Sequence, residues 1–436
     1  MSPYALFLAA VLAVPFILFS LGYIDWIFFA AGLGIVIYAG LLLVNIEIGF
    51  LILIFLRSSL DYFRFTTEGT LNAAALVTVG LIVLSLFYVL YRKINILKFE
   101  ESGPWLIFLA ASALSFGISK NLAGSLADWL RLSSIFAAYL MTRTLVVSEK
   151  KAKVFFLTIL LSSLIPMTVA LYQWGTDQGV FSKDFEYGRL AGTFSHPNAF
   201  SSYLLIILVF NLVLILEKQS FIAGKLLFLH TAFCLFLFVM TFSRGAWIVF
   251  VISMLFIGFL RYRKVFILMP ILAILALVFF PAIGERLEGM IFFGAAGDAS
   301  SITWRQMAWS NAMELFLKNP LLGNGLGMIS YELGYRAHND YVRLLAETGV
   351  VGIVSYFFLV YGTIRRSWKD YKKSATALAK ALNLALLAIL LGFVVRQYAD
   401  NTLRHTVVMI YLWILIAITR NISGWQKVEK PEAVRE

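Results

Sequence analysis

Apolar runs long enough to cross a bilayer recur along this whole chain, and they restrict its possible folds more than any other feature. The hydrocarbon core of a membrane is about 30 Å thick and needs roughly 17–25 apolar residues per helix. Because backbone groups in lipid must satisfy their own hydrogen bonds, such runs form helices rather than open sheets. Only 14% of the residues are charged, whereas soluble domains carry about 25%. The sequence therefore predicts an all-α polytopic membrane protein.

The runs divide into 12–14 candidate transmembrane helices, the lower number applying if the short second and third runs are not separate spans. The candidates are 4–22, 26–40, 44–56, 71–91, 103–119, 126–147, 153–174, 198–216, 222–241, 245–260, 265–281, 349–364, 379–397 and 404–420. An even number puts both termini on one side of the membrane. We interpret 1–436 as a single integral membrane domain, with a large loop at 282–348 inserted between two spans.

Basic residues in the short connections set the predicted orientation. They occur on every second connection and again in the tail after Arg420. The basic linkers are Arg92–Lys98, Arg143–Lys153, Lys218–Lys225, Arg261–Lys264 and Arg365–Lys373. An excess of lysine and arginine marks cytoplasmic loops. We therefore expect both termini in the cytoplasm and the 282–348 loop on the opposite face, and the scattered charges do not predict nucleic-acid binding.

The 282–348 loop carries helix signals of its own. Trp304–Lys318 predicts one helix, ended by Asn319-Pro320 and a flexible glycine-rich stretch. A second helix is predicted to begin at Asn339 or Asp340. The large loop is therefore expected to contain short helices rather than a separate soluble domain.

Arginine outnumbers lysine on the predicted outer side. By this topology the outer segments hold ten arginines and three lysines, whereas lysine is in the majority on the cytoplasmic side. The ten are Arg57, Arg64, Arg189, Arg244, Arg286, Arg305, Arg336, Arg343, Arg396 and Arg404. A guanidinium grips phosphate with two parallel hydrogen bonds and tolerates burial. The pattern predicts an anionic, phosphorylated ligand at this face, with lipid-headgroup contacts and salt bridges to nearby carboxylates as the alternative.

Arg244 is notable for its position in a very short turn between two helices, within TFSRGAW. The neighbouring Ser243 and Gly245 allow a ligand to approach the backbone closely. An arginine that extends to the membrane surface is the alternative interpretation.

His338 lies immediately before the second predicted helix of the loop. The positive end of a helix favours a neutral imidazole, as a base requires, and also attracts anions. Arg336 and Arg343 on either side favour a catalytic role over a loop histidine without function.

Other candidates carry weaker signals. Arg305 follows Trp304, and a tryptophan beside a polar residue can stack on a sugar ring or anchor at the membrane interface. Arg189 belongs to the glycine-rich segment GRLAGTFSHPN, in which His196 could simply mark a helix start. His405 is interpreted as part of a structural ion-pair cluster with Arg396, Asp400 and Arg404. The sequence contains no P-loop, dinucleotide fingerprint or set of residues at metal-ligand spacing, so we expect neither cofactor nor metal.

Three segments resemble the O-antigen ligase and polymerase superfamily of bacterial membrane glycosyltransferases. They are TFSRGAW at Thr241–Trp247, WRQMAWSNAMELFLKNPLLGNGLG at Trp304–Gly327 and HNDYVRLLAETGVVG at His338–Gly352. Their order and the long loop match as well, whereas the first half of the chain matches only in helix number and in GRLAGTFSHPN. The resemblance implies a GT-C-like, metal-independent transferase in the bacterial inner membrane, with its active site at the periplasmic face.

The resemblance also implies substrates and residue roles. The donor would be a glycan on undecaprenyl diphosphate, and the acceptor a hydroxyl of a lipid or glycan, such as lipid A–core for a ligase. Arg244 and Arg305 would hold the diphosphate, with Arg189 and Arg343 as weaker members of the set. His338 would take the proton of the acceptor hydroxyl, with inversion at the anomeric carbon. Asn339, Glu347 and Trp304 would support this site.

Two other functions stay open. A polymerase of the same superfamily would transfer the glycan to another lipid-linked repeat unit. A flippase or transporter would move lipid-linked oligosaccharide between leaflets, but transporters usually place charges and broken helices at mid-membrane, often in repeated halves. Here the charges lie at the outer helix ends and loops. Membrane lipids are expected partners in each case.

Overall fold

The computed structural model describes residues 45–60, 73–180, 188–219, 223–279, 284 and 296–428. The candidate helices 4–22 and 26–40 lie outside these residues, as do Arg64 and Arg286. The chain divides into two compact units, Met1–Arg57 and Ser58–Glu436. The described part of the first unit contains helix α1, Ile46–Arg57, which corresponds to the predicted run 44–56.

The described residues of the second unit form α-helices joined by short connections, and they contain no strand. The helices are α2 Ala73–Tyr91, α3 Ser102–Leu114, α4 Leu122–Leu145, α5 Glu149–Gly175, α6 Pro197–Leu216, α7 Gly224–Met240, α8 Arg244–Leu260, α9 Val265–Phe279, α10 Ala296–Lys318, α11 Met328–Leu333, α12 Asp340–Lys373, α13 Ala377–Ala399 and α14 Thr406–Val428. Short 3₁₀ turns occupy Ile96–Lys98, Ser115–Ile118 and Thr402–Arg404.

Several of these helices can span a membrane. By length and composition, α5, α6, α12, α13 and α14 are long and apolar enough to cross, and α2, α3, α7, α8 and α9 are shorter apolar helices. The prediction of an all-α polytopic membrane protein is confirmed. The number of spans, the orientation and the GT-C-like architecture stay predictions.

The core lies around α6 and α14. In the most apolar window of each helix, 83% of the α6 residues and 89% of the α14 residues are buried, against 50% in α5 and α12. The first two helices are thus enclosed by protein, and the other two keep one side open. Helix α13 packs between α8 and α12, and it also contacts α6. This packing brings the ends of α8, α12 and α13 together at one end of the bundle.

A buried charge network joins α12, α13 and α14 at the other end of the bundle. The Arg420 guanidinium is 1% exposed and its Nε donates to the Glu101 carboxylate at 2.6 Å. Its Nη2 donates to the Thr363 carbonyl at 3.0 Å, and its Nη1 lies 3.6 Å from the Asp370 carboxylate. A further Nη1 contact, at 3.4 Å, reaches the side chain of Asn383. Removing one member of such a network would leave a buried charge unpaired, so these helix ends are firmly joined.

Helix α12 consists of two helical segments that meet at a kink at Gly349 (φ 64°, ψ −169°). The kink lies where the sequence predicted one helix to end, near Glu347, and the next to begin, at position 349. The Val350 amide donates to the Pro320 carbonyl at 2.9 Å, and the Gly325 amide donates to the Glu347 carbonyl at 2.9 Å. The glycine-rich stretch was predicted to be flexible, and this was wrong. Its glycines allow the backbone of this stretch to lie close to the backbone around Gly349. Hydrogen bonds between the two segments hold this contact in place.

Candidate functional site

His338 is fixed at the N-terminus of α12. The preceding turn ends at Asn339, whose Oδ1 accepts hydrogen bonds from the amides of Tyr341 (2.9 Å) and Val342 (3.1 Å). Asparagine is a preferred N-cap because its side chain satisfies these first amides. His338 has φ +49°, in the left-handed region that residues other than glycine seldom adopt. The predicted helix start is therefore confirmed, and the histidine occupies a backbone conformation that its surroundings must maintain.

The nearest carboxylate to the His338 ring belongs to Asp400. His338 Nδ1 lies 3.8 Å from Asp400 Oδ1; the histidine side chain is 32% exposed and the aspartate 4%. The other carboxylate oxygen lies 3.5 Å from His405 Nε2 and 3.2 Å from Arg396 Nη2. Burial alone would raise the pKa of Asp400, but the two histidines and Arg396 hold it well below its usual range. Asp400 is therefore an ionised carboxylate facing an accessible imidazole.

A hydrogen bond from the 3₁₀ turn keeps Asp400 near His338. Asp400 follows the last residue of α13, and the Leu403 amide donates to Asp340 Oδ2 at 2.8 Å. Asp340 is the first residue of α12. The loop that carries Asp400 is thus tied directly to the helix that begins after His338.

Arg189 approaches the same region from the segment before α6. Its Nε donates to the Thr241 carbonyl, and its Nη2 donates to Asn198 Oδ1, both at 3.0 Å. Asn198 Oδ1 also accepts a hydrogen bond from the Ser243 hydroxyl at 3.0 Å. Arg189 is therefore held beside the short turn that leads to Arg244.

Gln173 of α5 anchors the backbone of the Arg189 segment. Its Oε1 accepts from the amides of Ala191 (3.1 Å) and Gly192 (2.9 Å), and its Nε2 donates to the Gly192 carbonyl at 3.1 Å. Gly192 has φ +57°, and an added Cβ would lie 2.6 Å from the carbonyl oxygen of Pro166. The glycine is required here because the segment lies directly on α5.

The arginines of the region influence one another. The pKa of Arg189 is lowered to about 10 by burial and then by the charges of Arg396 and Arg244. Burial also lowers the pKa of Arg305 on α10; Asp400 opposes this shift, and Arg244 adds to it. Burial and repulsion between these cations both disfavour the charged form of a guanidinium. This group of cations is therefore suited to an anionic ligand.

Helix α10 brings Trp304 to the histidine. The Trp304 ring centroid lies 5.8 Å from that of His338 and 5.6 Å from that of Tyr335, both in edge-on geometry. Further along α10, Trp309 Nε1 donates to the Ala337 carbonyl at 2.8 Å. The predicted Trp304–Lys318 helix is confirmed within the longer α10. Helix α10 packs against the His338 segment. Arg305 follows Trp304 directly on this helix.

Arg343 and Glu347 lie in a separate, buried cluster. Arg343 Nη2 lies 3.1 Å from Asp340 Oδ1 and Nη1 lies 3.6 Å from Glu347 Oε2, with the side chains of all three at most 4% exposed. Glu347 also accepts a hydrogen bond from the Ile329 amide at 3.4 Å. The structure brings together His338, Arg189, Arg244, Arg305 and Trp304. It does not bring Arg343 to them, because that guanidinium is enclosed by its own carboxylates.

Sequence reasoning missed the connection between Asp400 and His338. The predicted ion pair of Arg396 and Asp400 and the neighbouring His405 are confirmed, but Arg404 instead pairs with Asp128 at 3.1 Å. The available signal was an aspartate four residues after an arginine, near the end of a predicted helix. Nothing in it pointed to a histidine before α12.

His196 has the modest role that the helix-start interpretation gave it. Its Nδ1 accepts a hydrogen bond from the Asn198 amide at 3.0 Å, so that nitrogen carries no proton. Desolvation and then repulsion from Arg189 lower its pKa, which favours the same neutral form. His196 thereby caps α6 and fixes Asn198, the residue that holds Arg189.

The described residues contain no group of three or more His, Cys, Asp or Glu side chains placed to hold a metal ion. The expectation of a metal-independent reaction stays a prediction.

Comparison with known proteins gives a family for the part of the chain that carries most of this site. A family model described as O-antigen ligase matches residues 229–357. The match includes Arg244, Arg305 and His338, and ends before Arg396 and Asp400. No curated protein matches the chain. Residues 229–357 are therefore similar to an O-antigen ligase domain, and this match supports the resemblance to the O-antigen ligase and polymerase superfamily.

Proposed function

We propose that this protein is a membrane glycosyltransferase of the O-antigen ligase type. It would move a glycan from an undecaprenyl-diphosphate-linked donor to an acceptor hydroxyl, with lipid A–core as the acceptor, at the periplasmic face of a bacterial inner membrane. The observation that carries the proposal is the approach of His338 to Asp400 beside a group of arginines. The family match over residues 229–357 supports the same class of reaction.

His338 is suited to act as the general base. Its Nδ1 faces the Asp400 carboxylate at 3.8 Å, which favours a proton on Nδ1 and leaves Nε2 free to accept one. The distance is longer than a hydrogen bond, as is common for catalytic pairs in the absence of substrate. Asp400 would orient the ring and stabilise its protonated form, because the carboxylate stays ionised.

The bond changes balance without a further reactant. The acceptor oxygen gives its proton to His338 Nε2 and forms a bond to the anomeric carbon of the donor sugar. The bond from that carbon to the diphosphate oxygen breaks, and the electron pair leaves with the diphosphate. Attack from the face opposite the leaving group gives inversion. Arg189, Arg244 and Arg305 would stabilise the charge that develops on the diphosphate, and fixed cations are effective in this role.

The opposite end of the bundle favours a transferase over a transporter. A transporter for lipid-linked sugars must open toward both sides of the membrane. Arg420, Glu101 and Asp370 join several helices there through buried charged contacts. Opening these contacts would leave charges unpaired in an apolar setting. A polymerase needs no such opening and stays the alternative within the superfamily.

The experiment that tests the proposal is reconstitution of the purified protein with an undecaprenyl-diphosphate-linked oligosaccharide in the presence of EDTA. Transfer that requires added lipid A–core supports a ligase. Longer lipid-linked chains without that acceptor would show a polymerase instead. Movement of the glycan between leaflets without a new glycosidic bond would contradict the transferase proposal and favour the transporter.

A further inference from the structure

Helix α10 has two apolar sides, and the described part of the chain covers one of them. The covered side belongs to a small core that α10 forms with α11 and α12, including Ala312, Leu315 and Ala346. The other side carries Met313 and Leu317, which lie one helical turn apart and are 38% and 68% exposed. A helix on the surface of a soluble domain has one apolar face, turned toward the core. The second side of α10 therefore needs an apolar partner of its own.

The apolar row continues past the end of α10 toward α12. Leu321 follows Leu317 by four residues and is 67% exposed. The Val351 amide donates to the Leu321 carbonyl at 3.2 Å, and an added Cβ on Gly349 would overlap that carbonyl. Single exposed leucines are common on protein surfaces, whereas a row of apolar side chains that leads to another element indicates a contact surface. The row of Met313, Leu317 and Leu321, here called the α10 row, therefore ends beside the kink in α12.

The part of α12 that begins at this kink has an open apolar side. Its exposed residues include Val350, Val351, Val354, Phe357 and Phe358. Half of the most apolar window of α12 is buried, and the helix is long and apolar enough to cross a membrane. In a polytopic membrane protein, the open side of such a helix contacts the lipid chains. The α10 row is thus continuous with a surface that faces lipid.

We propose that the α10 row is a membrane-contact surface, which lies among the lipid chains beside the first turns of α12. The C-terminal part of α10 then belongs to the membrane interface rather than to a loop in water. Lys318 follows Leu317, and its side chain is largely exposed. A lysine next to apolar residues is typical of interfacial helices, because its ammonium group extends to the lipid headgroups. The inference goes beyond the proposed function and does not depend on it.

Lipid fits this surface better than a second protein does. A stable protein interface involves about 20–30 residues on each side, whereas the α10 row consists of Met313, Leu317 and Leu321. Contact with lipid has no such minimum, because each apolar side chain gains by leaving water. Helix α10 also holds Trp304 beside His338. The contact with lipid therefore fixes the height of the His338 segment relative to the bilayer.

Spin labels on cysteine variants test the contact in the full-length protein, reconstituted in liposomes. Cys234 is the single cysteine of the chain and is buried, so Cys234→Ala gives the background. Leu317→Cys and Leu321→Cys report on the α10 row. Val354→Cys on α12 is the lipid-facing control, and Lys120→Cys, at an exposed lysine, is the control in water. Oxygen concentrates in lipid and a nickel chelate stays in water, so the ratio of their effects on each label measures its surroundings.

We expect the ratio at positions 317 and 321 to be closer to that at Val354 than to that at Lys120. A ratio closer to that at Lys120 would place the row in water and overturn the proposal. Labels shielded from both reagents would show that a second copy or another protein covers the row, which also overturns it. Leu321→Cys decides the question if Leu317→Cys fails to fold. The measurement involves no glycan transfer, so a failure of the proposed function leaves its result unchanged.

Discussion

The Asp400 carboxylate lies 3.8 Å from Nδ1 of His338, although the two residues belong to distant segments, after α13 and before α12. The contact depends on the Asp340–Leu403 hydrogen bond, which ties the two segments together. His338 by itself is one half-buried loop histidine. With Asp400 behind it, the imidazole has a fixed orientation and a partner for its protonated form, which a general base needs.

Asp400→Asn should lower the rate of transfer on the order of 100-fold, which is a typical contribution of a general base held in its reactive state. The donor KM should not rise, because the substitution removes a negative charge from an anion site. Measurement of kcat and KM with lipid-linked donor tests both statements. A raised KM with an unchanged kcat would contradict the assigned role.

The same variant gives a prediction about pH and stability. Because the pKa of Asp400 is lowered in the folded protein, the ionised carboxylate stabilises the fold above the ordinary aspartate pKa of about 4. This contribution is lost as the pH falls toward the lowered value. The difference in apparent unfolding temperature between wild type and Asp400→Asn should therefore be largest near neutral pH and shrink below about pH 4. A difference that grows on acidification would exclude this account.

Arg244→Lys should not be conservative. A lysine keeps the charge but cannot make two parallel hydrogen bonds to a phosphate. We expect the donor KM to rise about tenfold, as the loss of one charge-assisted hydrogen bond predicts. Arg263→Lys, the same substitution beyond the other end of α8, is the matched control and should have wild-type kinetics. Equal kinetics in the two variants would remove Arg244 from the proposed donor site.

Gln173→Ala should weaken donor binding from a distance. The substitution removes three hydrogen bonds that hold Ala191 and Gly192, and so loosens the segment that positions Arg189. Gln173→Glu keeps the acceptor of two of these bonds and should retain more of the affinity. The donor KM of the two variants tests the order. A Gln173→Ala protein with normal KM would show that Arg189 does not depend on this anchor, or does not bind the donor.

Arg343→Met should affect stability rather than donor binding. It would leave Asp340 and Glu347 buried without their shared cation, and breaking a buried ion pair costs about 3–5 kcal/mol. We expect a lower apparent unfolding temperature and a lower yield, with wild-type donor KM in the protein that folds. Normal stability with a raised KM would return Arg343 to the diphosphate site that the family resemblance implies.

The features that sequence analysis predicted correctly depend on local signals. The short turn before Arg244 and the start of α12 at Asp340 are set by neighbouring residues, because an N-cap such as Asn339 acts within its own turn. Apolar length likewise predicted most helices within a few residues. These signals correctly predicted that Arg244 and His338 both lie at the start of a helix.

What the sequence could not provide was the pairing between distant segments. The Arg396–Asp400 spacing predicted an ion pair, but not that His338 would share its carboxylate. The same limit applied to Arg343. Its position shortly after His338 in the chain suggested that both residues contact one ligand, but the Arg343 side chain instead faces Glu347 in the structure. Glycines between Pro320 and Met328 suggested flexibility, since composition alone does not reveal a close backbone contact.

The rate at which His338→Ala forms the new glycosidic bond tests the central claim most directly. The assay should use reconstituted protein, with His230→Gln as the control, because His230 bonds to Ser163 and Asn211 at a different place in the bundle. We predict that His338→Ala loses transfer by at least about 100-fold, while it still binds pyrophosphate and unfolds at the wild-type temperature, and that His230→Gln retains transfer. Wild-type transfer by a folded His338→Ala protein would contradict the account.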